Sequence, residues 1–348
     1  MTFNFWRKPI KDRLAAACLF AVCIQIMTGG ALAGAQSFED AKQTETYNLN
    51  DFYFDTVVSI RFDTDQDGEA LLQGCRDICT RLEQTFSRTD ENSELYAVNH
   101  RESDHVEVSE PLARLTQTGL DYYEISEGRF DITVAPLSDL WDFKSETPSV
   151  PPEAEIQNAL RKVDGSAVHV VSEENKTGET VWYLDFDRED TMIDLGALVK
   201  GYAADVLSAY LKEEGVLSGL INLGGNVYAI GTKEDGSAWK IGIQKPFDTD
   251  IIDAVEVQDQ SVVTSGVYER CFESDGVLYH HILDPETGYP VQNNLWSVSI
   301  ISDSSLTGDA LSTVCMLLGQ DAAMDLIRHT DGARAIFVDN SLHKTECE

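Results

Sequence analysis

Apolar positions change their period along the chain. Residues 52–62 are dense in aromatic and β-branched side chains and predict a strand. Residues 69–86 and 111–127 carry apolar residues at helical spacing, the second run ending at Gly128. A short helix with prolines at its start is predicted over 151–163, and longer ones over 197–211 and 306–329. Residues 168–171 and 181–186 predict a strand pair about a polar turn. Further strands are predicted at 220–223, 227–230, 239–243, 255–257, 261–264, 278–283, 297–301 and 333–338. This order is not a repeated β-α-β. It predicts an α+β fold, a largely antiparallel or mixed β core flanked by helices, rather than a doubly wound sheet. The expected organisation is one domain over 51–348, with room for two intimate lobes, behind a polar, flexible lead-in at 34–50.

The first 33 residues have a different pattern. Arg7, Lys8, Lys11 and Arg13 stand against one acid, Asp12, and precede an apolar run from Leu14 to Met27. Ala31-Leu32-Ala33 then fits the small-x-small rule for signal cleavage. The run is short of the roughly 20 residues that span a bilayer. A cleaved signal peptide over 1–33 is expected, with a retained anchor as the alternative. Export follows from either.

Charge narrows the partners. The chain carries a formal net charge of −34, and losing four bases and one acid with residues 1–33 makes it −37. Such a surface repels nucleic acid and anionic lipid, so no nucleic-acid partner is expected. An anionic nucleotide needs local positive charge or a metal to bind. Five cysteines follow residue 33, namely Cys75, Cys79, Cys271, Cys315 and Cys347, and an odd number is a poor disulfide framework. Cys75 and Cys79 lack neighbouring histidines for a metal and are read as buried thiols.

Four stretches could carry chemistry, and each has a plain structural alternative. In Asp194-Leu-Gly-Ala-Leu-Val-Lys200-Gly201 a carboxylate and a lysine flank a helix start, where unpaired amides favour anions. An N-cap Asp with a surface Lys explains the same residues. Gly224-Gly225 after a strand permits close backbone approach to a ligand, or merely a turn. Asp309 and Thr313 share a helix face and offer two hard oxygens suited to Mg²⁺, unless Thr313 only bonds back to its own helix. His280, His281 and Asp284 lie close together, and alternation sends the two histidines to opposite faces. A proton-handling His competes there with one placed by packing. No G-x-G-x-x-G opening a helix, G-x-S-x-G, P-loop or H-E-x-x-H motif is present.

Taken in order, these stretches form a series. It runs Gly128-Arg-Phe-Asp-Ile-Thr-Val-Ala-Pro-Leu137 ahead of Trp141, Asp194-Leu-Gly-Ala197, Asn222-Leu-Gly-Gly-Asn226, Thr264-Ser-Gly-x-Tyr268-x-Arg270, His281-Ile-Leu-Asp-Pro-x-x-Gly-x-Pro290 and Asp309-x-x-Ser-Thr313. The series resembles the FAD:protein FMN transferase family, also called ApbE, from about Phe54 to Val338. The resemblance implies a Mg²⁺-dependent enzyme outside the cytoplasmic membrane. Such an enzyme takes FAD as substrate, moves FMN onto a Thr hydroxyl of an exported or membrane flavoprotein and releases AMP. Peripheral membrane association is compatible with it. It implies Asp309, Thr313 and the Ala197 backbone oxygen as Mg²⁺ ligands, and His281 with Asp309 as the catalytic pair. For the flavin site it implies Asp194, Lys200, Trp141 with its neighbour Leu140, Ile282, Thr89 and the Gly224-Gly225 turn. An FAD pyrophosphatase and a flavin-binding protein without turnover are the competing readings. Two segments depart from the family pattern. Phe54-Asp55-Thr56 stands where Met-Gly-Thr is common, and Ser87-Arg88-Thr89 lacks an aromatic residue.

Overall fold

The structure is a computed structural model that describes residues 44–348. In chain order its helices and strands are β1 (Glu45–Tyr53), β2 (Thr56–Thr64), α1 (Gly68–Phe86), α2 (Glu94–Asn99), β3 (His105–Val108), α3 (Glu110–Ile125), α4 (Ala135–Trp141), α5 (Glu153–Leu160), β4 (Val168–Glu174), β5 (Thr180–Phe186) and α6 (Val199–Glu213). Then come β6 (Ser218–Leu223), β7 (Asn226–Gly231), β8 (Trp239–Gln244), β9 (Ile251–Val257), β10 (Gln260–Gly266), β11 (Cys271–Ser274), β12 (Val277–His280), β13 (Leu295–Ser302), α7 (Ser305–Leu318), α8 (Gln320–Arg328), β14 (Arg334–Asp339) and β15 (Lys344–Cys347).

Eight strands form the central sheet in the order β1-β2-β6-β7-β10-β13-β14-β15, and every neighbouring pair is antiparallel. The fold is α+β, as the element order implies. Helices α1, α6, α7 and α8 pack on one face. The β8–β9 ribbon closes the other, setting Trp239, Ile243, Val255 and Val257 on Ala229, Val262, Ile301 and Ile336. With both faces covered, β13 is apolar or buried at almost every position instead of alternating. A smaller sheet, β3-β5-β4, packs against α3.

Local chemistry explains the helix boundaries. The Asp67 side chain caps α1 by accepting the Ala70 N–H. Along that helix Leu71, Cys75, Ile78, Cys79, Leu82 and Phe86 face the core at helical spacing. Cys75 and Cys79 are therefore buried thiols, and burial pushes both up to about 12.

Several expectations need correction. The strand expected at 52–62 is two strands, turned at Phe54 and Asp55, both left-handed at φ 53° and 57°. Residues 45–50 belong to β1 and are not a lead-in. Residues 34–43 and the expected signal segment 1–33 lie outside the described residues. The helix expected at 306–329 is broken at Gly319, whose φ is 77°. The strand expected at 278–283 ends at His280. Helices α2 and α4 have 6 and 7 residues, too few to display a period. No helix of the described residues is long and apolar enough to cross a membrane.

Candidate active site

The seam between α6 and α7 sets the first wall. Gly201 lies so close to α7 that a Cβ there would stand 2.4 Å from Ser305 O and 2.8 Å from Asp309 Cβ. The contact lets the Gly201 N–H donate to Asp309 Oδ2 at 2.9 Å. Lys200 Nζ stands 3.2 and 3.4 Å from the two carboxylate oxygens of Asp309, which is only 2% exposed. A buried carboxylate is thus held by one amide and one ammonium. Because Gly201 gives its N–H to Asp309, it does not close a helical bond onto Ala197. Among the described residues no backbone N–H is directed at Ala197 O. The Thr313 hydroxyl bonds back to Asp309 O at 3.2 Å, as the plain structural alternative required, and also meets Ser265 Oγ at 3.4 Å. Ser265 reaches α7 because alternation along β10 turns Ser261, Val263 and Ser265 to that face.

The Asp309 carboxylate and Thr313 hydroxyl on the seam, and the unclaimed Ala197 carbonyl just ahead of α6, are hard oxygen donors. Mg²⁺ takes about that number from a protein and completes its shell with substrate phosphate and water. No group of three or more His, Cys, Asp and Glu is placed to hold a metal among the described residues. A site with one carboxylate does not need such a group. The residues present therefore fit the ion, with Lys200 occupying the cationic place beside Asp309.

The second wall is the chain after β12. His280 is buried, its Nε2 lies 2.9 Å from Val291 O, and its Nδ1 accepts the Ile282 N–H at 3.4 Å. Both ring nitrogens are used within the protein, and burial lowers this His to about 4. His281 differs. Its backbone N–H donates to Arg270 O at 3.1 Å, while its enclosed Nδ1 has no hydrogen-bond partner. The residue as a whole is half-buried. Desolvation first, then Arg270, His280 and Lys200, hold it down to about 3, so it is a neutral imidazole at physiological pH. The sequence reading missed Glu269, which joins this group. The residue is exposed, and the protein atoms crowding its carboxyl, with Asp309 beside it, raise its pKa against the pull of Lys200 and Arg270. It occupies the unspecified position before Arg270 in the Thr264–Arg270 motif, where nothing in sequence marks it.

The third wall gathers around the Phe54–Asp55 turn. Asp55 pairs with Lys144, and its carbonyl accepts from Arg270 at 3.5 Å. Glu83 Oε1 accepts the Phe54 N–H at 2.8 Å. Arg88 Nε lies 3.3 Å from Asp194 Oδ2, and the same guanidinium pairs with Asp139. Burial works against the Arg88 charge, but Asp194, Asp139 and Asp55 outweigh it and raise its pKa. Asp194 is not an N-cap. Helix α6 begins after Leu198 with no side-chain cap, and Asp194 Oδ1 instead accepts the Gly196 N–H at 2.9 Å. The Gly224-Gly225 turn stands at the same end of the sheet, since Val58 pairs with Leu223. Gly224, at φ 60°, leaves no space for a Cβ because Thr56 Oγ1 would be 2.1 Å away, whereas Gly225, at φ 105°, faces open space. Thr89 is exposed on the loop after Arg88.

Trp141 and Ile282 stand behind this surface rather than on it. Trp141 is 1% exposed inside an aromatic block, with its indole N–H donating to Gly288 O at 2.8 Å, and Ile282 is buried. Leu140 is half-buried against the same block.

Fold and site define an α+β protein whose helix seam offers oxygen donors for a cation beside a group of basic side chains. The comparisons give the family. A model described as the ApbE family matches residues 54–337. An FAD:protein FMN transferase of Klebsiella pneumoniae (strain 342) is 36% identical, the match covering 78% of this chain and 82% of that one. One of Treponema pallidum (strain Nichols) is 32% identical over 88% of each chain. The crystal structure of the ApbE protein from Thermotoga maritima superposes with a TM-score of 0.77 at 32% identity, covering 87% of this chain and 97% of that one. The chain belongs to the ApbE family.

Proposed function

We propose that this protein transfers FMN from FAD to a Thr hydroxyl of an exported or membrane flavoprotein, releasing AMP, with Mg²⁺ as cofactor and outside the cytoplasmic membrane. One observation carries the reading. In a chain of net charge −34, Arg88, Lys144 and Arg270 collect about the Phe54–Asp55 turn, and Arg270 leads through His281 to Lys200 and Asp309. Arg88, Lys144 and Lys200 are each paired with a carboxylate here, so they would offer a pyrophosphate hydrogen-bond donors, while Arg270 and the bound cation would supply the charge that the rest of the surface denies it. The names carried by the relatives point to the same substrate.

In the reaction the acceptor Oγ bonds to the FMN phosphorus. The bond from that phosphorus to the bridging oxygen breaks, and AMP leaves with that oxygen. Bound Mg²⁺ supplies charge neutralisation at the phosphates, held by Asp309, Thr313 and the Ala197 carbonyl. Lys200 and Arg270 orient the anionic substrate. The neutral imidazole of His281 accepts the proton of the acceptor Oγ.

The test incubates the protein with FAD, Mg²⁺ and an exported flavoprotein and applies mass spectrometry to the acceptor. FMN esterified to a Thr, with one AMP per transfer, is expected. Rapid FMN and AMP from FAD alone, with no labelled acceptor, would make the protein a pyrophosphatase. FAD persisting intact with Mg²⁺ would make it a binding protein.

A further inference from the structure

Asp205 lies on α6 one turn beyond Gly201, and its carboxylate is spent entirely on the other helix. Oδ1 accepts the Ser305 N–H at 2.7 Å, and Oδ2 accepts the Leu306 N–H at 3.0 Å and the Ser304 hydroxyl at 2.8 Å. These amides open α7 and have no intrahelical partner. Helix α7 already has its own cap, since Ser304 Oγ accepts the Thr307 N–H at 3.2 Å. Asp205 adds a second cap from 99 residues away. A carboxylate at a helix N-terminus is also favoured by the helix dipole.

The placement matters because of what lies one turn along. Gly201 and Asp205 are four apart and share a face of α6, while Ser305 and Asp309 are four apart and share a face of α7. Asp205 meets Ser305, and Gly201 meets Asp309 through its N–H at 2.9 Å. The seam is thus fastened at Asp309, by Gly201 and Lys200, and again one turn earlier on α7, by Asp205. Without Asp205, the bonds from α6 to α7 would all fall on Asp309, and the first turn of α7 would be held to α6 by packing alone. The second fastening fixes the register.

We propose that Asp205 is the positioning residue of the cation site, holding the first turn of α7 on α6 so that the Asp309 carboxylate stands beside Lys200 and the Ala197 carbonyl before the ion arrives. The proposal rests on the reading of Asp309 as a metal ligand. It goes beyond capping, because a cap alone affects stability and leaves metal affinity untouched.

The test titrates the full chain with Mn²⁺, a probe for oxygen-ligated Mg²⁺ sites, following the paramagnetic signal of the free ion without FAD or acceptor. Wild type, Asp205→Asn, Ser304→Ala and Asp309→Ala are compared, each with its thermal unfolding curve. Asp205→Asn is expected to bind Mn²⁺ about 10–100-fold more weakly while melting cooperatively, the range for losing a group that orients a metal ligand. Ser304→Ala, which removes one of the three bonds together with the cap on the Thr307 N–H, is expected to weaken binding about 2–10-fold. A lower melting temperature with wild-type Mn²⁺ affinity in Asp205→Asn, while Asp309→Ala binds none, overturns the proposal and leaves the metal reading standing. Should Asp205→Asn fail to fold, unchanged affinity in Ser304→Ala overturns it equally. If wild type takes up no Mn²⁺, or Asp309→Ala takes it up unchanged, the metal reading itself falls.

Discussion

The α6–α7 seam and the aromatic block around Trp141 hold the same site by opposite means. At the seam, directional bonds between charged and polar groups fix Asp309 between two closely packed helices. In the block, Trp141 stacks on Phe143 at 5.6 Å and on Tyr279 at 5.5 Å, and meets Tyr289 edge-on at 5.6 Å. One hydrogen bond to Gly288 ties that ring to the turn that follows Asp284. The seam is specific because removing any member strands its partner, a Lys ammonium or a buried amide. The block holds by buried area and tolerates exchange among similar shapes. On the proposed function the chemistry belongs to the seam, and the block anchors the chain that carries His281.

The largest expected effect lies in the seam. Asp309→Ala should lower turnover on the order of 10³-fold, corresponding to several kcal/mol of lost charge stabilisation. Thr313→Val should cost less than about tenfold, since a neutral hydroxyl already shared with Asp309 O is the weaker ligand. Initial rates across a Mg²⁺ series check both, and unchanged turnover of Asp309→Ala at limiting Mg²⁺ removes the seam from the chemistry.

Next comes the residue that the block presents. His281→Asn should keep FAD binding and lose transfer by about 10²–10⁴-fold. A base works in its unprotonated form, above its pKa. With His281 held at about 3, its protonation cannot produce an acid limb near neutrality. An acid limb near neutrality would instead belong to Glu269, whose carboxyl is raised, and should vanish in Glu269→Gln. The pH–rate profiles of the two variants separate these cases. Wild-type transfer in His281→Asn with loss in Glu269→Gln would hand the role of base to the carboxylate.

The smallest effect on chemistry is expected in the block, where the consequence falls on stability. Trp141→Ala should destabilise the fold by about 3–5 kcal/mol, and Trp141→Phe by less. Urea unfolding measures the loss, and transfer per folded molecule should stay near that of wild type. A raised KM for FAD in Trp141→Phe at wild-type stability would show the block touching flavin, and the division between the two regions would fail.

Much of this was legible beforehand, and unevenly. Long helices and buried strands announced themselves through period, so 69–86 and 111–127 agree with α1 and α3 to within two residues. Short elements did not, because 6 or 7 residues make fewer than two turns. The turn at Phe54–Asp55 was hidden for another reason. Left-handed backbone at two successive positions usually calls for Asn or Gly, and nothing in Phe-Asp signals it. The histidines were half legible. Their adjacency in sequence was plain, but that both ring nitrogens of His280 have partners while His281 Nδ1 has none depends on which backbone groups surround them.

By itself, the sequence determined the α+β class, the order of the motifs and the residue types able to ligate or accept a proton, because period and side-chain chemistry are local properties. Only the tertiary structure decided which of them meet. Lys200 and Asp309 lie 109 residues apart, Asp205 and Ser304 lie 99 apart, and Arg270 reaches Asp55 across 215. These pairings follow from how helices pack over an antiparallel sheet. Gly201 at the α6–α7 crossing permits an approach that a Cβ would forbid, and that approach turns its amide from Ala197 to Asp309.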